Sequence, residues 1–310
     1  MNRKKLNFVI TGGAGFIGSH LANALLKKNH KVLAIDNQRF GNWKNIEKNK
    51  NLKIITKDIN DIKDFRKYFN KNTVLVHLAA EKHNNSLKYP DKIFKTNCIA
   101  TNRLFENACA KKVKKIIFSS SLYAYGQISK PVMTEKHSCN PKTVYGITKY
   151  SGELLLKKTA LENNISYAIL RFFFVYGSKQ YSGTGYPSVI VKNFKKLKLK
   201  KNPLIINDGT QVLDYIHVND VVDAIIKTSH TKKNLTLNVS SGNSTSIKSL
   251  TKKMIEISKI KTKFLYVGRD WTKGTFRVGS NKLIKKELNW SPKISLAKGL
   301  NEVWDWIKNT

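Results

Sequence analysis

The chain has 310 residues, of which 41% are hydrophobic and 10% aromatic, which is enough apolar material for a core and too much for a disordered chain. Basic residues number 57 and acidic residues 20, so the formal net charge is +37. The sequence has no apolar run of about 18 residues, and no transmembrane helix is expected.

The first half of the chain alternates strand patterns with helix patterns. The strand patterns are near-continuous apolar runs, which are typical of parallel strands buried on both faces. This alternation predicts an α/β fold with a doubly wound parallel sheet, a Rossmann domain. The predicted strands are residues 6–11, 32–35, 52–56, 74–80, 115–121 and 166–173, and the predicted helices are residues 19–28, 92–112 and 144–159.

The pattern loosens after Gly177, where glycines and prolines interrupt it. We predict a Rossmann domain at residues 1–177 and a smaller, discontinuous C-terminal substrate domain at residues 178–310. Residues 214–240 are predicted to return to the Rossmann sheet. The predicted elements of this half are a basic helix, a strand and three further helices, at residues 188–201, 215–218, 220–228, 246–258 and 296–307.

The high positive charge raises the hypothesis of nucleic-acid binding. However, the chain has 50 Lys and 31 Asn but only 7 Arg, and the codons of Lys, Asn and Ile are rich in A and T, so genome composition can account for the excess. The charge is also spread over nearly every predicted helix, with the densest run at residues 192–201. We therefore expect no nucleic-acid or membrane partner and interpret the charge as a general attraction for anionic substrates.

The three cysteines, Cys98, Cys109 and Cys139, form no C-x-x-C pair and have no histidine at metal-ligand spacing. They predict buried free thiols rather than a disulfide framework or a metal site. The N-terminal residues lack the apolar stretch of a signal peptide, so a cytoplasmic location is expected.

A glycine-rich turn follows the first predicted strand and opens the first predicted helix. Residues 12–18 read Gly-Gly-Ala-Gly-Phe-Ile-Gly, a G-x-x-G-x-x-G pattern. Glycines allow a tight turn and a close approach of the backbone to a pyrophosphate, and the helix N-terminus offers unpaired N–H groups. This strand–turn–helix context predicts a dinucleotide site.

A carboxylate follows at the expected distance. Asp36 ends the second predicted strand, 18 residues after Gly18. A carboxylate there accepts hydrogen bonds from both ribose hydroxyls and repels a 2′-phosphate, so it favours NAD over NADP. Arg39 keeps the alternative open, because a guanidinium can accommodate that phosphate.

Tyr145 and Lys149 are spaced i, i+4 in a predicted helix and therefore share one face. A free tyrosine has a pKa of about 10 and is a poor base. A nearby ammonium, helped by an oxidised nicotinamide, lowers that pKa. Three serines at residues 119–121 end a buried strand, where an open α/β sheet faces its ligand crevice, and a hydroxyl there can hold the substrate oxygen beside the tyrosine.

Together these motifs resemble those of the extended short-chain dehydrogenases/reductases of the NAD-dependent epimerase/dehydratase family. Matching motifs follow the family order along almost the whole chain. Besides the residues named above, they are Asp36-Asn37, Asp58-Ile59, His77 to Ala80, Asn97, Tyr125-Gly126, Arg171 to Gly177, Asp208 to Thr210 and Leu288 to Pro292.

The resemblance implies a role for each matching residue. Tyr145 would be the catalytic base, Lys149 its partner and Ser121 the catalytic hydroxyl. NAD would be the cofactor and a nucleotide sugar the substrate. The implied cofactor-binding residues are Gly12, Gly15, Phe16, Ile17, Gly18, Asp36, Asn37, Asp58, Ile59, Leu78, Ala79, Ala80, Lys82, Asn97, Tyr145, Lys149 and Phe173.

The resemblance also implies a homodimer, formed through the helices near residues 93–112 and 144–160. Apolar residues on both helices are consistent with this, although they can instead face their own sheet. They are Ile93, Leu104, Leu154 and Leu155.

The residues before the Tyr125-Gly126 pair indicate the type of reaction. Dehydratases and decarboxylases of this family usually carry a carboxylate there, whereas this chain has Leu122 and Tyr123. The pattern is closer to that of nucleotide-sugar 4-epimerases. The resemblance therefore implies that a carbinol, at C4, is oxidised transiently with NAD and reduced again on its other face, with no net redox change.

Two positions depart from the family pattern. The family's Arg-Tyr-Phe-Asn ends here in Phe174, which loses a polar contact. Leu213 replaces an arginine that commonly binds the diphosphate. Arg269, Arg277 or the basic run at residues 192–201 can replace this charge. Phe174 and Arg269 are the predicted substrate-binding residues.

Two other functions stay open. A net reductase or dehydrogenase acting on a related carbohydrate would depend on added NAD(P)H, whereas an epimerase would carry bound NAD. A non-catalytic NAD-binding protein is the third hypothesis, but such proteins tend to lose the tyrosine or the lysine, and Tyr145 and Lys149 are both present.

Overall fold

The computed structural model describes residues 5–82, 89–126, 132–180, 188–268 and 272–310. The strands are β1 (Asn7–Thr11), β2 (Lys31–Asp36), β3 (Leu52–Thr56), β4 (Thr73–His77), β5 (Lys115–Ser121), β6 (Val132–Met133), β7 (Tyr167–Phe172), β8 (Phe174–Tyr176), β9 (Leu204–Ile206), β10 (Val212–Leu213), β11 (Tyr215–His217), β12 (Leu235–Val239), β13 (Thr245–Ser246), β14 (Leu265–Val267) and β15 (Phe276–Gly279). The helices are α1 (Phe16–Lys27), α2 (Pro90–Phe94), α3 (Thr101–Ala110), α4 (Val144–Glu162), α5 (Val189–Lys198), α6 (Val218–Ser229), α7 (Ile247–Ser258), α8 (Lys282–Leu288) and α9 (Leu296–Lys308).

The main sheet has seven strands in the order β12-β7-β5-β4-β1-β2-β3. Six of these strands, β7, β5, β4, β1, β2 and β3, run parallel to one another. Strand β1 lies between β2 and β4, so the strand order reverses beside it, and ligands of open α/β sheets bind at such a point. The predicted α/β class with a doubly wound parallel sheet is confirmed.

The long helix predicted at residues 92–112 is divided. A π-helical segment, Lys95–Ala100, joins α2 to α3. Helices α3 and α4 cover one face of the sheet, and their buried residues share a cluster with those of β1 and β5. The members that α3 and α4 contribute to it include Leu104, Phe105, Leu156 and Ala160.

Contacts divide the chain into two compact units. Unit 1 comprises Met1–Gln127, Lys136–Phe172 and Val222–Leu237. Unit 2 comprises Ile128–Glu135, Phe173–Val221 and Asn238–Thr310. The sequence puts the first boundary at residue 177 and returns residues 214–240 to the sheet.

The segment that reaches the main sheet is not the strand predicted near residues 215–218. Strand β11 pairs with β8 in a separate two-stranded sheet, whereas β12 joins the main sheet beside β7. Strand β12 reads Leu-Thr-Leu-Asn-Val. Because polar residues interrupt it, it does not match the pattern of a continuous apolar run. Its buried asparagine, Asn238, donates its side-chain N–H to the carbonyl of Met133.

Unit 2 has its own core and a four-stranded sheet in the order β13-β10-β15-β6. The apolar faces of α5, α7 and α9 form the core. Phe194 and Trp304 pack there with ring centroids 5.3 Å apart. The predicted amphipathic helix at residues 296–307 is α9, and Trp304 lies on its buried face while Trp306 is only partly buried.

All three cysteines are free thiols, and Cys109 is buried while Cys98 and Cys139 are half-buried. None of the helices in the described ranges has the length and apolar character that a membrane crossing requires.

Candidate active site

The glycine-rich turn joins β1 to α1 at the reversal point of the sheet. Gly12 has a φ of +72°, and a side chain there would meet the backbone N of Ala79 at 2.7 Å. A Cβ on Gly18 would overlap the carbonyl oxygen of Gly12, so this glycine lets the helix pack on the turn. These two glycines are therefore required by the fold itself.

Gly15 serves a different purpose. A Cβ there would approach the Gly12 carbonyl oxygen at 3.1 Å and has no neighbour outside Gly12 within 4 Å among the described residues. Gly15 is also the N-cap of α1, whose first turn has neither a side-chain cap nor an acidic residue. Open space in front of an uncapped helix N-terminus fits a pyrophosphate. Phe16 and Ile17 form the first turn of that helix.

Asp36 lies beside this turn at the end of β2. Its carboxylate accepts hydrogen bonds from the backbone N–H of Ala14 at 3.1 Å and of Gln38 at 2.6 Å. Burial raises the pKa of Asp36 above its ordinary value, although these hydrogen bonds oppose the rise. The carboxylate is thus fixed next to the glycine turn, where it fits a ribose diol.

Arg39 is the residue that could accommodate the 2′-phosphate of NADP. It forms an ion pair with the carboxylate of Glu81. Its guanidinium also lies 4.9 Å from the ring centroid of Phe40. Glu81 is buried, so a 2′-phosphate would have to compete with a desolvated carboxylate for this guanidinium.

Of the predicted cofactor-binding residues near the second and third strands, Asn37 and Asp58 lie together, whereas the side chain of Ile59 lies elsewhere. Asn37 donates its side-chain N–H to the carboxylate of Asp58 at 2.6 Å, and the backbone N–H of Asn60 donates to it at 2.8 Å. Burial raises the pKa of Asp58, but the hydrogen bonds lower it by more, so the pKa lies below its ordinary value. The side chain of Ile59 instead packs in the core cluster of unit 1.

The segment after β4 contains four further residues that were predicted to bind the cofactor. Leu78, Ala79 and Ala80 are half-buried, and Lys82 lies with its Nζ 4.7 Å from the ring centroid of Phe40. The N–H of Leu78 donates to the carbonyl of Thr11 at 3.0 Å.

Asn97 holds this segment in place from the π-helical turn. Its side chain accepts from the backbone N–H of Glu81 at 2.8 Å and donates to the carbonyl of the same residue at 3.1 Å. It also donates to the hydroxyl of Thr148 on α4 at 3.1 Å. Single-turn π-segments occur frequently at functional sites. This one places Asn97 where its side chain links the segment after β4 to α4.

The three residues predicted to be catalytic come together between β5 and α4. The side chains of Ser121 and Tyr145 are hydrogen-bonded to each other. Lys149 is 2% exposed, and its Nζ lies 4.3 Å from the ring centroid of Phe118. Helix α4 begins at this point because the hydroxyl of Thr143 caps it by accepting the N–H of Gly146.

The pKa values of the pair differ from the expectation. Burial raises the pKa of Tyr145 to about 12, against the hydrogen bond with Ser121. Burial also lowers the pKa of Lys149 to about 7. Burial thus disfavours the charged form of each group. Lowering the pKa of Tyr145 requires a positive charge brought by a ligand, such as an oxidised nicotinamide.

A buried ionic network next to this pair was not predicted from the sequence. The carboxylate of Glu153 accepts from Arg171 Nε at 2.9 Å, from Arg171 Nη2 at 2.6 Å and from the hydroxyl of Ser120. A signal was available, because Glu153 follows Lys149 by four residues and so lies on the same helix face.

The remaining predicted residues belong to unit 2. Phe173 is buried, and its ring packs so closely on Gly279 that a Cβ there would lie 2.5 Å from it. Phe174 is half-buried, with its ring centroid 6.0 Å from that of Tyr215. Arg269 lies outside the described residues.

The sequence motifs and the turn around Asp36 point to one family. A sequence model of the NAD-dependent epimerase/dehydratase family matches residues 8–240. The chain belongs to this family. The prediction of the family from its motifs is confirmed.

Several 4-epimerases of nucleotide sugars resemble the chain over nearly its full length. A putative UDP-glucose 4-epimerase from Methanocaldococcus jannaschii is 32% identical over 97% of this chain and 98% of its own. A solved UDP-N-acetylglucosamine 4-epimerase from Methanobrevibacter ruminantium, in complex with UDP-N-acetylmuramic acid, is 29% identical with a TM-score of 0.94, covering 99% of each chain. A UDP-glucuronic acid 4-epimerase from Bacillus cereus, in complex with UDP-glucuronic acid and NAD, is 29% identical with a TM-score of 0.88, covering 98% of this chain and 99% of its own.

Proposed function

We propose that this protein interconverts a nucleotide sugar and its C4 epimer with NAD as its cofactor. The observation that carries the proposal is the hydrogen-bonded pair of Ser121 and Tyr145 beside Lys149, in a chain whose relatives are 4-epimerases of UDP-sugars. The relative from Bacillus cereus is in complex with NAD, and the open glycine turn and Asp36 fit the same cofactor.

The chain's own residues divide the work of this reaction. The turn around Gly15 holds the pyrophosphate, and the carboxylate of Asp36 holds the adenosine ribose. Bound there, NAD would supply the reversible hydride transfer that oxidises the sugar at C4 and reduces it again on the opposite face. Tyr145 takes the proton of the C4 hydroxyl and gives it back, while Ser121 orients the same oxygen through its own hydrogen bond.

The turn that follows Ser121 favours epimerisation over dehydration. Elimination of water needs a group that protonates the leaving hydroxyl. The 3₁₀ turn after Ser121 is Leu122–Ala124 and contributes no carboxylate. We therefore assign reversible oxidation at one carbon to this site.

A turnover panel tests the proposal. The purified protein is incubated with UDP-glucose, UDP-N-acetylglucosamine, UDP-glucuronic acid and UDP-arabinose at a trace concentration of NAD, and the products are separated by chromatography. We expect the C4 epimer of at least one sugar at many turnovers per NAD. A product that forms only in proportion to added NAD(P)H would replace the epimerase with a reductase.

Arg277 is the group that we propose to replace the missing arginine at position 213. Leu213 in β10 and Arg277 in β15 are register partners in a parallel pair, so their side chains leave the same face of the sheet next to each other. Leu213 packs against the cluster that contains Tyr215. A guanidinium one strand away can thus reach an anion at the same place.

We also propose that the protein is a homodimer. Ile99, between α2 and α3, and Leu154, on α4, are 63% and 49% exposed. Exposed apolar residues grouped on one helix pair are typical of a subunit interface. Ile93 and Leu104, which were candidates for this face, are instead buried in unit 1. Further exposed apolar residues on these helices are Phe94, Ile147 and Leu161.

We also propose a cytoplasmic location. It is supported by the free thiols of Cys98, Cys109 and Cys139, because thiols persist in reducing compartments. Cell fractionation with a tagged chain tests it, and recovery in an oxidising compartment would contradict it.

A further inference from the structure

Glu153 occupies a position that the proposed chemistry has not explained. Its side chain is fully buried on α4, one turn after Lys149, and its carboxylate binds the equally buried guanidinium of Arg171 on β7. Burying two charges costs several kcal/mol, and apolar residues of similar size often stabilise a fold as well or better. Stability alone therefore gives no reason for this pair.

The position of Glu153 and Arg171 next to the catalytic residues gives a reason for their burial. The carboxylate also accepts from the hydroxyl of Ser120, the neighbour of Ser121 on β5. The guanidinium of Arg171 lies 4.5 Å from the ring centroid of Tyr125. Glu153 thus connects the strand that carries Ser121 with the helix that carries Tyr145 and Lys149.

We propose that Glu153 is a positioning residue for the reaction. Its buried carboxylate holds the end of β5 against α4 and supplies a negative charge that favours the ammonium form of Lys149 beside Tyr145. This inference rests on the proposed function.

The other groups that interact with Lys149 do not supply that charge. His77 on β4 is fully buried, which lowers its pKa to about 3 and keeps it neutral. Burial raises the pKa of the Cys98 thiol, which therefore remains protonated. Within the described ranges, Glu153 is the carboxylate that raises the pKa of Lys149, against the larger effect of burial.

Arg171 and Tyr123 are the other charged or titratable neighbours of this cluster. Arg171 faces Glu153 from β7 and carries a positive charge. The ring centroid of Tyr123 lies 5.8 Å from that of Tyr145. Arg171 also contacts the ring of Tyr125 and the thiol of Cys139, and burial raises the pKa of that thiol, so the negative charge of this cluster comes from Glu153.

Glu153→Gln is the direct test, because the amide oxygen can still accept from Ser120 and Arg171 while the charge is lost. Without the carboxylate, the ammonium of Lys149 and the neutral form of Tyr145 both become less favourable, so both pKa values fall. We expect both limbs of the pH profile of kcat to move to lower pH, by about one unit. Glu162→Gln, at the exposed end of the same helix, is the matched control and should leave the profile in place.

A second readout is independent of turnover. The ionisation of Tyr145 is followed by ultraviolet absorbance of the NAD-loaded protein, with Tyr145→Phe as the blank. The tyrosinate titration should move to lower pH in Glu153→Gln. If no sugar nucleotide is turned over but this shift occurs, the proposed function fails and the electrostatic role of Glu153 stands.

The single variant leaves Arg171 buried without its carboxylate and can fail to fold. The double variant Glu153→Met with Arg171→Met removes both charges and is expected to fold, as thermal unfolding will report. It should shift the profile in the same direction by a smaller amount. A folded variant without the carboxylate that keeps the wild-type profile, with only a lower kcat, would reduce Glu153 to a structural role and overturn the inference.

Discussion

At the scale of single residues, the chemistry depends on how burial acts on two opposite groups. Burial raises the pKa of Tyr145 to about 12 and lowers that of Lys149 to about 7. Both groups lose hydration, and both are driven toward their neutral forms. Proton transfer at this site therefore depends on groups that favour the charged forms, such as the positive ring of an oxidised nicotinamide for Tyr145 and the carboxylate of Glu153 for Lys149.

Tyr145→Phe should remove the base and leave the fold intact, because it deletes one hydroxyl and keeps the ring. We expect a loss of at least about 100-fold in kcat, in line with general-base contributions. NAD affinity, measured by titration calorimetry, should stay close to that of the wild type. Near-full turnover by this variant would mean that another group takes the proton.

Asp36→Ala should weaken NAD binding and relax the discrimination against NADP. The substitution removes the carboxylate that we propose to bind the ribose hydroxyls and to repel a 2′-phosphate, while Arg39 keeps its pairing with Glu81. The dissociation constants of both cofactors for both proteins check this. A wild type that binds NADP more tightly than NAD would contradict the assignment and point to Arg39.

Leu213→Arg tests how the diphosphate is held. If Arg277 already holds it, the added arginine should give little gain, and Arg277→Leu should raise KM in line with about 1.5–3 kcal/mol for a lost charged hydrogen bond. The double variant Leu213→Arg with Arg277→Leu should recover most of that loss. A large gain from Leu213→Arg alone would show that Arg277 does not reach the diphosphate.

At the scale of elements, the turn between β1 and α1 separates the needs of folding from those of binding. Gly18 is required because α1 packs on the turn, whereas Gly15 leaves space in front of the helix N-terminus. The two glycines of one motif are thus required for different reasons, one for folding and one for binding. Substitution of each by alanine can separate these reasons.

Gly15→Ala should fold normally and bind NAD at least about tenfold more weakly, which corresponds to about 1.4 kcal/mol. Gly18→Ala should instead lower the free energy of unfolding by about 1–3 kcal/mol, because its methyl group overlaps the backbone of Gly12. Thermal unfolding and NAD titration of both variants separate the two effects. Equal losses of stability would show that Gly15 is also a folding requirement.

At the scale of the whole molecule, the exposed apolar residues on α2 to α4 predict association of two chains. Ile99→Glu combined with Leu154→Glu should convert a dimer to a monomer, because a charge at the centre of an apolar interface loses its hydration. Light scattering at micromolar concentration measures the mass. Leu199→Glu, at a 64% exposed leucine of unit 2, is the control and should leave the mass unchanged. A wild-type monomer would contradict the proposal.

The sequence by itself determined the features that depend on local spacing. The glycine turn, the carboxylate of Asp36 at a strand end and the i, i+4 pair of Tyr145 and Lys149 are all read from neighbouring residues, as is the alternation that predicts the parallel sheet. Local backbone geometry fixes these relations, so the sequence was sufficient for them.

Only the tertiary structure decided the features that depend on long-range pairing. Glu153 meets Arg171 because α4 packs on the sheet beside β7, and Arg277 lies beside Leu213 because β15 pairs with β10. The pKa of Tyr145 likewise depends on how much of its surroundings the fold dehydrates. Burial and strand register depend on contacts between residues far apart in the chain. The spacing of residues along one sequence therefore does not predict burial or register.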